Sequence, residues 1–206
     1  MRLLELIGIS VLVLSSIRAN AQYVEKERDD TTRLFATTPF DSIAAGKALA
    51  KGEGSIKGVA FTKNRTKDQL SVFLPQRVYA NRITVLLFPV TPYLLDYLEI
   101  KKKENPKKLK FAYIDPVAWR YRLEAITNSV GEFTFPYMKP GKYYLEAILP
   151  WTSTEYHYVD AGSVYNERGT LIPHYEQQSF NIAHYDKLYD FVEIKNNGEV
   201  VQIKLK

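Results

Sequence analysis

All three histidines lie late in the chain, at His157, His174 and His184, with Glu155 and Asp160 beside the first. Imidazoles and carboxylates are what a metal centre needs. The spacing argues against one. His157 and Asp160 are three apart on an expected strand, where side chains alternate, so they face opposite sides. No HExxH or other tight ligand pair occurs. No G-x-S-x-G motif presents a serine nucleophile. The chain has no cysteine, which removes thiolate chemistry, disulfides and a lipidated cysteine. There is no phosphate-cradling glycine loop and no dinucleotide fingerprint. The expectation is therefore no catalytic residue, no metal and no cofactor, with a metal-dependent hydrolase as the weakest alternative.

Aromatics are the second source of chemistry. Fifteen tyrosines and two tryptophans are present, and they crowd the stretch PWTSTEYHYVDAGSVY from Pro150 to Tyr165. Exposed rings stack on sugars, and neighbouring polar groups fix the sugar hydroxyls. Trp151, Tyr156, Tyr158 and Tyr165 are thus a candidate platform for a glycan or peptide. The competing reading is ordinary packing, because half-buried strands favour these residues.

Charge narrows the partners. The formal net charge is +5, and the block KKKENPKKLK from Lys101 to Lys110 holds six lysines. Nucleic-acid surfaces interleave cations with aromatics over a face. A single block reads as a solvated loop, so no nucleic-acid partner is expected.

The N-terminus reads as a leader over residues 1–21. Arg2 precedes the apolar run LIGISVLVL, and Ala19-Asn20-Ala21 gives small residues at a cleavage site. The run is too short for a transmembrane helix, and no later window is apolar enough to span a membrane. This predicts an exported protein, in the periplasm, on the outer membrane or outside the cell. Residues 22–53 read as a polar arm, extended or disordered through Thr38, followed by a helix over Ser42–Lys51 that Asp41 or Ser42 caps.

From Ser55 the apolar period changes to two. SIKGVAFT, LSVFLP and RITVLLFPV read as strands. Pro92 opens an inserted helix near 92–105. WRYRLEAITN, from Trp119 to Asn128, returns to alternation. TSTEYHYVDAG is a further alternating run, and Asn196-Asn197-Gly198 signals a hairpin into a last strand.

The most patterned stretch is TNSVGEFTFPYMKPGKYYLEA, from Thr127 to Ala147. Gly131 suits a turn, and Phe133 and Phe135 then share one strand face. Pro140-Gly141 fits a type II turn with positive φ at the glycine. Tyr143, Leu145 and Ala147 share the next face. Two matched apolar faces around a tight turn suit a β-sandwich core.

Gly131-x-Phe133-x-Phe135, Met138 and Pro140-Gly141-x-Tyr143-x-Leu145-x-Ala147 resemble the pattern of carboxypeptidase regulatory-like and Cna protein B-type domains. The likeness runs from Gly54 to Lys206 with insertions, and Met138 stands where the pattern has leucine. It implies a mainly β fold, a single transthyretin-like seven-stranded sandwich, here with a short N-terminal helix and a helical insertion. Such domains are accessory modules of peptidases, outer-membrane receptors and surface proteins. The resemblance therefore implies a non-enzymatic interaction or structural module of a bacterial envelope, with an envelope protein or a glycan as partner.

Overall fold

A computed structural model describes residues 30–64 and 76–206. The expected leader, the start of the polar arm and the LSVFLP run lie outside the described residues. The strands are β1 (Thr32–Phe35), β2 (Gly54–Lys63), β3 (Arg77–Tyr79), β4 (Thr84–Pro89), β5 (Lys110–Tyr113), β6 (Leu123–Ile126), β7 (Glu132–Met138), β8 (Gly141–Tyr165), β9 (Leu171–Ile194) and β10 (Val200–Leu205). The helices are α1 (Ser42–Leu49), α2 (Pro92–Lys101) and the short α3 (Pro116–Arg120). No helix among the described residues is long and apolar enough to cross a membrane.

The fold is a mainly β sandwich of two sheets. In the first, β2 is central. It pairs in parallel with β10 on one edge and antiparallel with β7 on the other, where β3 follows along Phe61–Lys63. The second runs β6-β4-β8-β9, antiparallel throughout. Among the described residues, seven full strands and the three-residue β3 make up the two layers.

The patterned stretch links the two layers. β7 pairs with β2 and β8 with β4 and β9, so Lys139-Pro140 carries the chain from one sheet to the other. Phe133 and Phe135 enter the core from the first sheet, and Tyr143 and Leu145 from the second. All four are at most 4% exposed, which places the motif in the core. The type II turn expected at Pro140-Gly141 does not form: Gly141 sits at φ +156°, far from the roughly +80° such a turn needs, and already pairs with Ile194 as the first residue of β8. Gly131 lies at φ +79°, and a Cβ there would stand 2.4 Å from the Ala60 carbonyl oxygen. That carbonyl also accepts from Ala80 N–H, so the turn fits against a fixed ladder.

Asp41 caps α1 by accepting from the N–H groups of Ile43 and Ala44. Thr91 caps α2, with Pro92 in its first turn. The inserted helix stops at Lys101, short of 105, and a 3-10 turn follows at Pro106–Lys108. α2 lies over the outer face of the second sheet, where Tyr93, Leu94 and Tyr97 pack on Phe88 and Tyr144.

Three further sequence readings need correction. The strand expected from Trp119 begins only at Leu123. Asp115 accepts from Val117 and Ala118 N–H and Pro116 pre-sets the first turn, so Trp119 lies in a helix that ends at Arg120. The Asn196-Asn197-Gly198 turn forms, with Gly198 at φ +75°, but makes no hairpin. Glu199 accepts from the N–H groups of Lys195 and Asn196, and β10 crosses to pair with β2. The run TSTEYHYVDAG is no separate strand, since β8 continues through Pro150 for 25 residues. β4 pairs with β8 only up to Glu146, so Pro150 stands on an edge, where proline is tolerated.

Candidate functional site

β8 and β9 stay paired from Gly141↔Ile194 to Tyr165↔Leu171, long after the sandwich ends. No residue from Thr154 to Lys187 is buried. The pair leaves the body as a two-stranded ribbon of about 40 Å, at ~3.3 Å per residue. Its tip turn is held by Asn166, whose side chain accepts from Arg168 and Thr170 N–H.

The ribbon sorts the four candidate aromatics onto two faces. Tyr156 and Tyr158 are opposite Ser179 and Gln177, on the face that continues the outside of the second sheet. A bulge between Asp160 and Ser163 shifts the alternation, so Tyr165, opposite Leu171, rejoins that face. Trp151 is on the other face, in line with the core residues Tyr143, Leu145, Ala147 and Leu149. It does not share a platform with the three tyrosines.

Trp151 instead belongs to a cleft at the foot of the ribbon, about 560 Å3 in volume. The indole stacks on the His184 ring, with centroids 4.1 Å apart and planes 15° apart. Its N–H donates to Asp186 Oδ2 at 3.0 Å. Thr62 of β2 donates its hydroxyl to the same oxygen. Ser153, only 3% exposed, bonds through Oγ to His184 Nε2 at 2.8 Å. Phe61 supplies a second ring, and Lys63, Glu155 and Lys206 stand at the rim. The cleft is therefore one aromatic wall, a carboxylate with a second oxygen to offer, and hydroxyl and ammonium groups around it.

Ser153, His184 and Asp186 are the residue types of a hydrolytic triad, but the wiring differs. Asp186 binds Trp151 and Thr62, and the serine hydroxyl is buried. The remaining histidines stand apart, His157 against the Phe180 ring and His174 exposed near the tip. Among the described residues, no three histidine, aspartate or glutamate side chains are grouped to hold a metal.

The lysine block is not uniformly solvated. Lys101 folds back, 5.3 Å over the Tyr97 ring and 3.3 Å from Glu146. Lys187 approaches the same carboxylate at 3.7 Å, and Tyr144 donates its hydroxyl to it. Burial disfavours both ammonium groups. For Lys101 burial is the largest single influence, but the attractions of Glu146 and Tyr97 and its side-chain hydrogen bonds together outweigh it and raise its pKa; for Lys187 burial and the neighbouring Lys101 lower it. Burial also pushes the Tyr144 phenol far above its ordinary range. Glu146 is thus a hub that ties α2 to the second sheet.

No family profile and no curated protein sequence match the chain. Among solved structures, a candidate carbohydrate-binding protein of Pseudomonas aeruginosa is similar in fold, with a TM-score of 0.53 and 20% identity over 82% of this chain and 97% of that one. At that identity the likeness concerns the fold alone.

Proposed function

We propose that this chain is an exported, non-enzymatic carbohydrate-binding module of the bacterial envelope, built on the sandwich of the carboxypeptidase regulatory-like family, and that the glycan sits in the cleft at the foot of the ribbon. The observation that carries the reading is the placement of Trp151. An indole with its edge fixed by Asp186 presents an apolar wall to a cleft that also offers carboxylate, hydroxyl and ammonium groups. Sugar recognition calls for that mixture, since a ring stacks by its apolar face while its hydroxyls need donors and acceptors. The carbohydrate assignment of the Pseudomonas aeruginosa protein of similar fold supports it.

The test is a glycan array followed by calorimetry on the glycans that bind, comparing the full chain with Trp151→Ala and Tyr158→Ala. Trp151→Ala is expected to weaken binding at least about tenfold, or about 1.4 kcal/mol, with Tyr158→Ala unchanged. Equal affinity for Trp151→Ala and the wild type would place the glycan elsewhere or nowhere. Release of a shortened glycan during incubation would contradict the non-enzymatic reading.

A further inference from the structure

Lys63 and Lys206 line the rim of the cleft at the foot of the ribbon. Lys63 ends β2, and its register partner on β3 is Arg77. Two cations thus stand directly opposite each other on one face of a strand pair, an arrangement that costs stability. Phe61 and Tyr79 are the next pair on that face. The Arg77 guanidinium lies over the Phe61 ring, 4.8 Å from its centroid. Lys206 follows Leu205, which pairs with Ala60, so the end of β10 brings a third cation beside Phe61. All three cations are exposed. Among the described residues, no carboxylate comes within ion-pair distance of any of them.

Two carboxylates belong to the same cleft. Asp186 takes the Trp151 and Thr62 donors on one oxygen, and Glu155 stands on the ribbon. Both accept from hydroxyl groups, which a sugar supplies, and neither pairs with the three cations. An anion would join Lys63 to Arg77 and relieve their opposition. The planar fork of Arg77 suits a two-point contact with a carboxylate or sulfate. We propose that the glycan of this cleft is acidic, with its carboxylate or sulfate seated at Lys63, Arg77 and Lys206 while a ring stacks on Trp151. This rests on the carbohydrate reading of the cleft and adds the class of sugar.

An array that prints uronate-containing and sulfated glycans beside their neutral counterparts tests this, with calorimetry on the tightest pair. For the full chain at low salt, the acidic member is expected to bind at least about tenfold tighter than its neutral counterpart. The preference should shrink near 1 M salt, where charge is screened beyond about 3 Å. The double variant Lys63→Gln, Arg77→Gln is expected to lose the preference and to keep the circular dichroism of the folded chain. Lys142→Gln, which removes an exposed cation paired with Glu193 near the start of β8, is expected to keep it. Equal affinity for the two members, with binding still weakened by Trp151→Ala, overturns the acidic assignment and leaves the cleft reading in place. A preference that survives the double variant overturns the assignment as well. Binding that ignores Trp151→Ala overturns both, and so does an array on which no glycan binds.

Discussion

Trp151 and Asp186 sit on neighbouring strands, and the indole N–H donates to the carboxylate across 3.0 Å. The same oxygen accepts from Thr62 of the opposite sheet, so one carboxylate joins β2, β8 and β9 at the foot of the ribbon. Removing it in Asp186→Ala leaves two donors unmatched. Hydrogen bonds to charged groups contribute about 1.5–3 kcal/mol, and this site is only partly buried, so a loss near the lower figure is expected. Trp151 fluorescence, read in a Trp119→Phe background, should shift to the red as the ring loosens. An unchanged spectrum would mean that stacking on His184 alone fixes the indole.

Phe135 belongs to the buried core and Thr134 beside it is exposed. Phe135→Ala is expected to cost about 3–5 kcal/mol, and Thr134→Ala within about 0.5 kcal/mol of zero. Glu132 is a poorer control, because its carboxylate accepts from the Asn128 amide. Chemical denaturation midpoints decide the matter, and equal midpoints would remove the patterned stretch from the core.

Gly131 and Gly198 separate two effects of a side chain. Their φ angles are +79° and +75°, but a Cβ on Gly198 meets open space while one on Gly131 strikes the Ala60 carbonyl. Gly198→Ala is expected to lose about 1–2 kcal/mol from the left-handed backbone alone. Gly131→Ala should lose clearly more, since the ladder must shift as well. Thermal melts of the two variants that coincide would show that the β7 turn yields without cost.

Asp96 on α2 accepts from the N–H groups of Thr38 and Thr37 and from the Thr37 hydroxyl. The Thr38 N–H first, then the Thr37 hydroxyl, hold its pKa below the ordinary 3.8. A lowered folded pKa means that the unfolded chain binds the proton more readily. The contribution to stability is therefore complete above 3.8 and fades as the pH falls through the lowered folded value. Carboxyl chemical shifts should follow that curve, and Asp96→Asn should melt with less dependence on pH in the acid range. A titration of Asp96 at or above 3.8 would contradict the contact.

The sandwich was readable wherever the apolar period held. Phe133, Phe135, Tyr143 and Leu145 alternate cleanly because each strand has one buried face. The readings failed where local chemistry competed with pattern, as at Asp115-Pro116, which turned an alternating run into helix. The ribbon was hidden for another reason. Proline is disfavoured inside strands, yet Pro150 and Pro173 both lie on strands, each opposite a residue of the partner. The site depended on contacts that sequence distance conceals. Trp151 meets His184 and Asp186 only once β9 has folded back, and Thr62 arrives from the other sheet. The Asp160–Ser163 bulge, which moves Tyr165 to the face of Tyr158, is set by register across the ladder and leaves no periodic mark.

The parallel pairing of β10 with β2 has a consequence in time. Val200 lies beside Ser55 and Leu205 beside Ala60, joining segments separated by most of the chain. Leu205 is fully buried, so the core stays open until this strand arrives. Contacts between such distant segments carry a loop-closure cost before they return any energy, which slows folding. A growing chain can form the β8–β9 hairpin early, because its strands are adjacent. It can close the sandwich only after residue 205 has been made, and until then β2 keeps an open edge that any other strand could occupy.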